Sequence, residues 1–417
     1  MRYAAVLITV VLSGWWPASV LQGAEPVRDK GIMVEETNAY RARLEAEVGE
    51  GGQKAPPARR VLRPDLTGMD RPESPDEFRR IFHHPLVCQG LTGQCWAFAA
   101  TSFFESEIQR LSGRQVRLSE MWTVYWEFVE KARGFVRTRG ESKFPRGSEP
   151  NAAIRIWARY GVVPAEAYPG FPPGQRIYDD RKLYAEMNAY LKAIKERGDW
   201  DESRAVTDIR AILDRHLGAP PTMVEVDGKR VLPRVYCRVT LGLDVGEYVS
   251  VMSLMQEPWN QWAQYPVPDN WWGSRAYYNV PLDEFVHLIR DAVRGGVSVC
   301  LVMDCHEPGF YFREDVAFVP RFDIPREFID DSARQMRFSN ESTTDDHVVH
   351  IVGYQERDGV YWYLVKDSGN LPRNGHLGGY MFYREDYIQL KGLAVVLPRN
   401  VVEHSLGRRL GAQPAEE

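Results

Sequence analysis

The chain has 417 residues, 44% of them apolar, and a formal net charge of -5. At the usual ~150 residues per domain this length suits two or three domains, or one large domain with insertions. The acidic balance, with no basic run interleaved with aromatics, excludes nucleic acid as a partner class.

Residues 1–24 carry Arg2, an apolar run over 4–12 and small residues ending at Gly23-Ala24, the layout of a secretory leader. An exported (periplasmic or secreted) protein is expected. The apolar run is too short to span a bilayer, and no later stretch is long enough. Residues 25–82 are rich in Glu, Arg, Pro and Gly and read as a mobile arm or linker with a short helix over 38–48. A propeptide covering a cleft is the sharper reading of that arm.

A helical half is expected over 83–175. From Cys95 the apolar residues Trp96, Ala99, Ala100, Phe103, Phe104, Ile108 and Leu111 follow helical spacing, and Gly113 ends the run. A second helix covers 118–128 with Ser119 as N-cap, and a third covers 152–160 and stops at Gly161. An insertion follows over 176–295. It opens with two amphipathic helices in 180–217, then turns to strand-like runs at 231–239 and 248–255. Trp271-Trp272, in the aromatic stretch 259–278, read as core packing, with a substrate platform as the alternative. A helix over 282–293 leads to the second half, 296–398. There a buried strand at 297–302 and period-two runs at 347–353 and 361–367 predict a sheet, closed by 375–385 and 393–397. The polar tail, 399–417, is expected to be loosely held.

The chemistry centres on Cys95. A cysteine at a helix N-terminus meets unpaired N–H groups and the positive end of the helix dipole, which favour thiolate over thiol. The five cysteines, Cys88, Cys95, Cys237, Cys300 and Cys305, are odd in number, so an exported chain keeps at least one free thiol or cross-links. The other four leave two disulfides in three pairings, or none. Cys300 and Cys305 point to opposite faces of a strand and are not expected to pair with each other. A nucleophilic thiol needs a base, and the base an orienting group. Of nine histidines, His347 begins a strand, and Asp367 begins the break after the neighbouring strand. His350 faces the opposite side and reads as structural. His83-His84 lack a third ligand nearby. With no His-Glu-x-x-His and no paired Cys-x-x-Cys, neither metal nor cofactor is expected.

Gln89 six positions before Cys95-Trp-Ala-Phe, His347 with glycine six positions on, and Lys366-Asp-Ser368 resemble the papain-like cysteine peptidases. Within that clan the resemblance is to bleomycin hydrolase and the bacterial aminopeptidase C group. It extends through Leu118-Ser-Glu, Tyr160-Gly-Val-Val-Pro164, Tyr248-Val-Ser, Tyr278-Asn-Val-Pro281, Gly296-Val-Ser-Val299 and Gly375-His-Leu-Gly-Gly-Tyr380, in family order over residues 84–402. The 252 positions between Cys95 and His347 match that group's large insertion.

The resemblance implies an α+β, papain-like two-lobed fold: a helical lobe plus an antiparallel β-sheet or barrel lobe, with the insertion between them. It implies peptide substrates, aminopeptidase-like cleavage, Cys95 as nucleophile, His347 as its base, Asp367 as orienting residue and Gln89 as oxyanion donor. Gly147, Ser148 and Trp96 would contact substrate. In that group the insertion builds a ring-shaped homo-oligomer and the C-terminal tail lies in the cleft. Asp367 stands where the family usually has asparagine, and Gly369 where a tryptophan usually shields the histidine. These two positions motivate the alternative reading, a catalytically silent peptidase-like domain that binds peptides or scaffolds a complex.

Overall fold

Helix Cys95–Ser112 is the axis on which the chain packs. The computed structural model describes residues 30–49, 58–171 and 174–415, so the expected leader lies outside the described residues. Trp96, Phe103, Phe104 and Ile108 of this helix are fully buried. Gly113 ends it in the left-handed conformation that a glycine adopts without a Cβ penalty, at φ 71°, with its N–H on the Gln109 carbonyl at 2.8 Å. Helix Glu120–Arg137 starts where Ser119 Oγ accepts from the Trp122 N–H at 3.0 Å. Helix Asn151–Tyr160 stops at Gly161.

Helices Arg181–Arg197 and Glu202–Leu217 bury Leu183, Met187, Leu191, Ile209 and Leu213 in the same core as the Cys95 helix. The insertion therefore begins as an extension of the helical lobe. Its run at 231–239, expected as a strand, is mostly helical: a short strand Lys229–Val231 gives way to turns over Pro233–Val235 and Tyr236–Thr240. Pro233 sits at the first helical position, where its missing N–H costs nothing.

Against the helices lies one large sheet. Strands Tyr380–Arg384, Val360–Lys366, His347–Arg357, Val299–Met303, Gly392–Pro398 and Tyr248–Met252 follow one another across it, antiparallel at each step. Tyr277–Asn279 then adds in parallel and Gln261–Ala263 antiparallel. Three short segments within 248–279, assigned by sequence to the insertion, are thus strands of the same sheet, and it is mixed rather than purely antiparallel. Pairing partners decide this, and short apolar runs do not announce their partners. Trp271 and Trp272 are packed: the Trp271 indole donates to Glu127 at 2.6 Å, and Arg155 covers the two rings at 5.2 and 4.7 Å.

The arm carries more structure than its composition suggests. Strands Gly31–Glu36 and Arg59–Pro64 pair antiparallel, with helix Ala39–Glu47 between them. Charged and amide side chains anchor it together with a few apolar ones: Leu44 and Phe78 are buried, and the Phe78 ring stacks on Phe382 at 5.1 Å. Arg63 binds Glu36 at 2.6 Å and the carbonyls of Glu307 and Pro308 at 3.1 Å, and the Tyr40 N–H donates to Asn374 at 2.9 Å. The tail is also held. Arg399–Leu406 is helical, Leu410 is buried, and the Trp262 indole donates to the Leu410 carbonyl at 2.9 Å. All five cysteines are unpaired. No helix among the described residues is long and apolar enough to cross a membrane.

The turn before Cys95 depends on Gly90, which holds φ 65° and lies so close to Tyr178 that a Cβ would collide with its carbonyl oxygen. Gly90→Ala is expected to lower unfolding free energy by at least about 2 kcal/mol. A denaturant titration checks this, and an unchanged midpoint would show that the turn relaxes freely.

Candidate active site

Cys95 is the first residue of its helix and is half-buried. No side chain caps that helix start. Gln94, in the cap position, is committed elsewhere: its amide donates to the Arg146 carbonyl at 3.1 Å and to Asp180 at 2.7 Å, and accepts from the Trp96 indole at 3.0 Å. Arg146 in turn pairs with Asp180 and reaches the Leu91 carbonyl at 2.5 Å. The loop is therefore fixed from below, and the positive end of the helix is left facing the thiol.

Across the lobe boundary, His347 Nε2 lies 2.8 Å from Asp367 Oδ1. A carboxylate only accepts, so Nε2 carries the proton. Cys95 lies close enough to the same ring to raise its pKa, and with Nε2 held on Asp367 the ring has Nδ1 left to meet a thiol. Burial by itself lowers the His347 pKa, but the charge and hydrogen bond of Asp367, with the contribution of Cys95, lift it well above the ordinary value. Asp367 is fully buried. Its Oδ1 also accepts the Gly369 N–H at 2.7 Å, and its own N–H donates to Gly379 at 2.9 Å. Oδ2 has no partner. A Cβ at Gly369 would stand 2.9 Å from Asp367 Oδ1 and 3.4 Å from His347 Cε1, so glycine there lets the loop fold tightly over the pair.

Gln89 is tied to the same loop. Its amide oxygen accepts from Ser368 Oγ at 2.8 Å, and its backbone N–H donates to the Ser368 carbonyl at 2.9 Å. That fixes which end of the amide is NH2, one hydrogen of which goes to the Thr92 carbonyl at 3.1 Å. Ser368 thus orients both the Asp367 turn and the Gln89 amide, a role its place in the sequence motif did not specify.

His350 points away from the site, as expected. It is fully buried, with Nδ1 2.9 Å from Ser102 Oγ. Burial and the nearby Lys366 charge hold it well below the ordinary histidine pKa, hence neutral. Lys366 Nζ donates to Ser102 at 2.8 Å and to the His84 carbonyl at 2.8 Å. Ser102, His350 and Lys366 therefore clamp the Cys95 helix to the His347 strand, which sets the spacing between thiol and imidazole. Sequence reading missed Ser102; a hydroxyl within an apolar helix face was the available signal.

The expected substrate contacts fare unevenly. Trp96 is fully buried with its indole on Gln94, so it packs inside the helical lobe and offers nothing to a substrate. Ser148 is buried and its hydroxyl donates to Glu127 at 2.7 Å, leaving only backbone for that role. Gly147 stays partly exposed. Among the described residues one group could share a metal ion, Cys305, His306 and Asp346, with ligand atoms within 4.8 Å. Its carboxylate is already bonded to both partners, at 3.4 Å to the thiol and 2.8 Å to the imidazole.

No family model and no curated protein matches this sequence. Solved structures do match its fold. The structure of PepW from Lactobacillus rhamnosis HN001 aligns at a TM-score of 0.62 and 18% identity, over 79% of this chain and 83% of its own. A structure from work on antibody cross-reactivity between the mite allergens Blo t 1 and Der p 1 aligns over 79% of this chain and 72% of its own, at 16% identity. Its TM-score of 0.36 leaves it without weight. At 18% identity the first likeness is one of architecture, and in architecture this chain has the α+β, papain-like fold.

Proposed function

We propose that the protein is a cysteine peptidase that hydrolyses peptide bonds. One observation carries the reading: the Cys95 thiol, at an uncapped helix start, lies within electrostatic reach of a His347 ring that is hydrogen-bonded to a buried carboxylate. Proton transfer from Cys95 to His347 gives a thiolate and an imidazolium, and Asp367 favours the latter. The thiolate attacks the scissile carbonyl carbon. The Cys95 backbone N–H and the free hydrogen of the Gln89 amide receive the oxyanion, each such donor being worth about 3 kcal/mol of barrier. His347 then protonates the leaving amine, and the acyl-enzyme is hydrolysed by a water that His347 deprotonates.

Cleavage from the amino end, and an exported enzyme, are the finer parts of the proposal. They rest on the resemblance to the aminopeptidase C group and on the leader. The silent-domain alternative needed the His347 ring parted from the thiol, and the nearness that lets Cys95 raise the His347 pKa argues against it.

The test is alkylation. Cys95 is expected to react with iodoacetamide at pH 6 at least about tenfold faster than Cys88, a half-buried thiol in the same chain that serves as internal control. Peptide mapping by mass spectrometry reads both rates, and equal rates would remove the nucleophile from the proposal.

A further inference from the structure

Three carboxyl groups from distant parts of the chain converge beside Cys95. Glu149 follows Gly147-Ser148, Asp345 lies two residues before His347, and Asp269 comes from the loop between strands Gln261–Ala263 and Tyr277–Asn279. The Asp269 N–H donates to Asp345 Oδ2 at 3.4 Å, and the Asp269 carboxylate lies over Gly147 so closely that a Cβ there would collide with it. Glu149 feels the charges of Asp345 and Asp269, and that of Cys95 as well.

Lys131 and Lys143 act on Asp269 through their charge without pairing with it. Among the described residues no ion pair joins any of the three to a lysine or arginine. Lys131 donates instead to the carbonyls of Pro145 and Gly147. Glu149 is 1% exposed and its Oε2 has no partner. A second orphan faces the cluster. Tyr265 is fully buried, its hydroxyl has no partner among the described residues, and it feels Glu149, Asp345 and Asp269 along with the Arg334 guanidinium. Burial first, and the neighbouring carboxyls after it, push Glu149 well above the carboxylate range, and burial carries Asp269 up to about 6. The cluster thus holds protons that an arriving cation would displace. The ligand atoms do not lie close enough together to share one metal ion; among the described residues that spacing occurs at Cys305, His306 and Asp346. An ammonium or guanidinium, with several hydrogens spread over a wider span, suits the carboxyls and the hydroxyl better.

We propose that Glu149, Asp345 and Asp269 form a subsite for a positively charged group of the substrate, held next to the bond that Cys95 attacks. The proposal rests on the peptidase reading above. The cation has two sources, a basic side chain or the free amino terminus of a peptide, and both present the same N–H-rich charge.

Fluorogenic amides of arginine, of its neutral isostere citrulline and of norleucine, each with a free and an acetylated amino group, separate the sources. The wild-type chain is expected to prefer the cationic member of a pair by about 10²-fold in kcat/KM. A preference that follows arginine over citrulline assigns the side chain, and one lost on acetylation assigns the amino terminus. Glu149→Gln should bring that ratio close to one. Asp269→Asn, on a half-buried loop, should reduce it if the deeper variant does not fold. Wild-type protein whose Cys95 alkylates rapidly but which cuts charged and neutral pairs equally would overturn the subsite alone. Protein whose Cys95 alkylates slowly and which cuts none of the amides would overturn the peptidase reading beneath it.

Discussion

Cys95→Ala and His347→Ala are each expected to lower kcat/KM for a peptide amide by about 10⁴-fold or more, and the double variant is expected to be no worse than the poorer single. The thiol attacks only as thiolate and the imidazole matters only as its proton partner, so removing either removes the pair. A double-mutant cycle on kcat/KM reads this directly. Additive losses would mean that the two side chains act separately and that their proximity is incidental. Fold must be checked alongside activity. His347→Ala leaves the fully buried Asp367 with the Gly369 N–H as the remaining donor to Oδ1, and breaking a buried pair costs about 3–5 kcal/mol. His347→Gln keeps an N–H donor in the same region and provides the control whose catalytic loss owes nothing to unfolding.

Asp367→Asn is expected to keep the site assembled and to move its alkaline limit. The carboxamide oxygen can still accept from His347 Nε2, and its NH2 would occupy the place of Oδ2, which has no partner in the wild-type chain. The charge is what changes. Asp367 stabilises the imidazolium and raises the His347 pKa, so the proton is retained to higher pH. Without that charge the proton leaves earlier, and the alkaline limb of kcat/KM should fall by about 1–3 pH units, the usual effect of one close opposite charge. Asp367→Ala should lose both charge and orientation and lower the plateau as well. A pH profile of kcat/KM for wild type and the two variants checks the pair, and an unmoved limb in Asp367→Asn would confine the carboxylate to orienting the ring.

Both outcomes depend on the lobes meeting at the right spacing, and that spacing is not set by the reacting residues themselves. Ser102, His350 and Lys366 link the Cys95 helix to the His347 strand through buried hydrogen bonds. On the other side of the site, Ser368 links the Asp367 turn to Gln89. The reacting groups sit between these two fastenings.

Local periodicity in the sequence determined the parts whose signals are local. The apolar spacing from Trp96 to Gly113, the Ser119 cap and the alternating strand at His347 each depend on neighbours within a turn or two. The quoted motifs then placed Cys95, His347, Asp367 and Gln89 together before any coordinates. What needed tertiary structure was whatever depends on a partner far along the chain. Three short segments within 248–279 join the main sheet because their edges find strands Gly392–Pro398 and each other. The arm docks through Arg63 and Tyr40 with no hydrophobic periodicity to betray it. Trp96, adjacent to the nucleophile in sequence, turns its ring into the core because one step along a helix rotates the side chain by about 100°. The carboxyls of Glu149, Asp269 and Asp345 are ordinary surface acids by composition. Burial beside one another, which no single stretch of sequence encodes, is what makes them a chemical site.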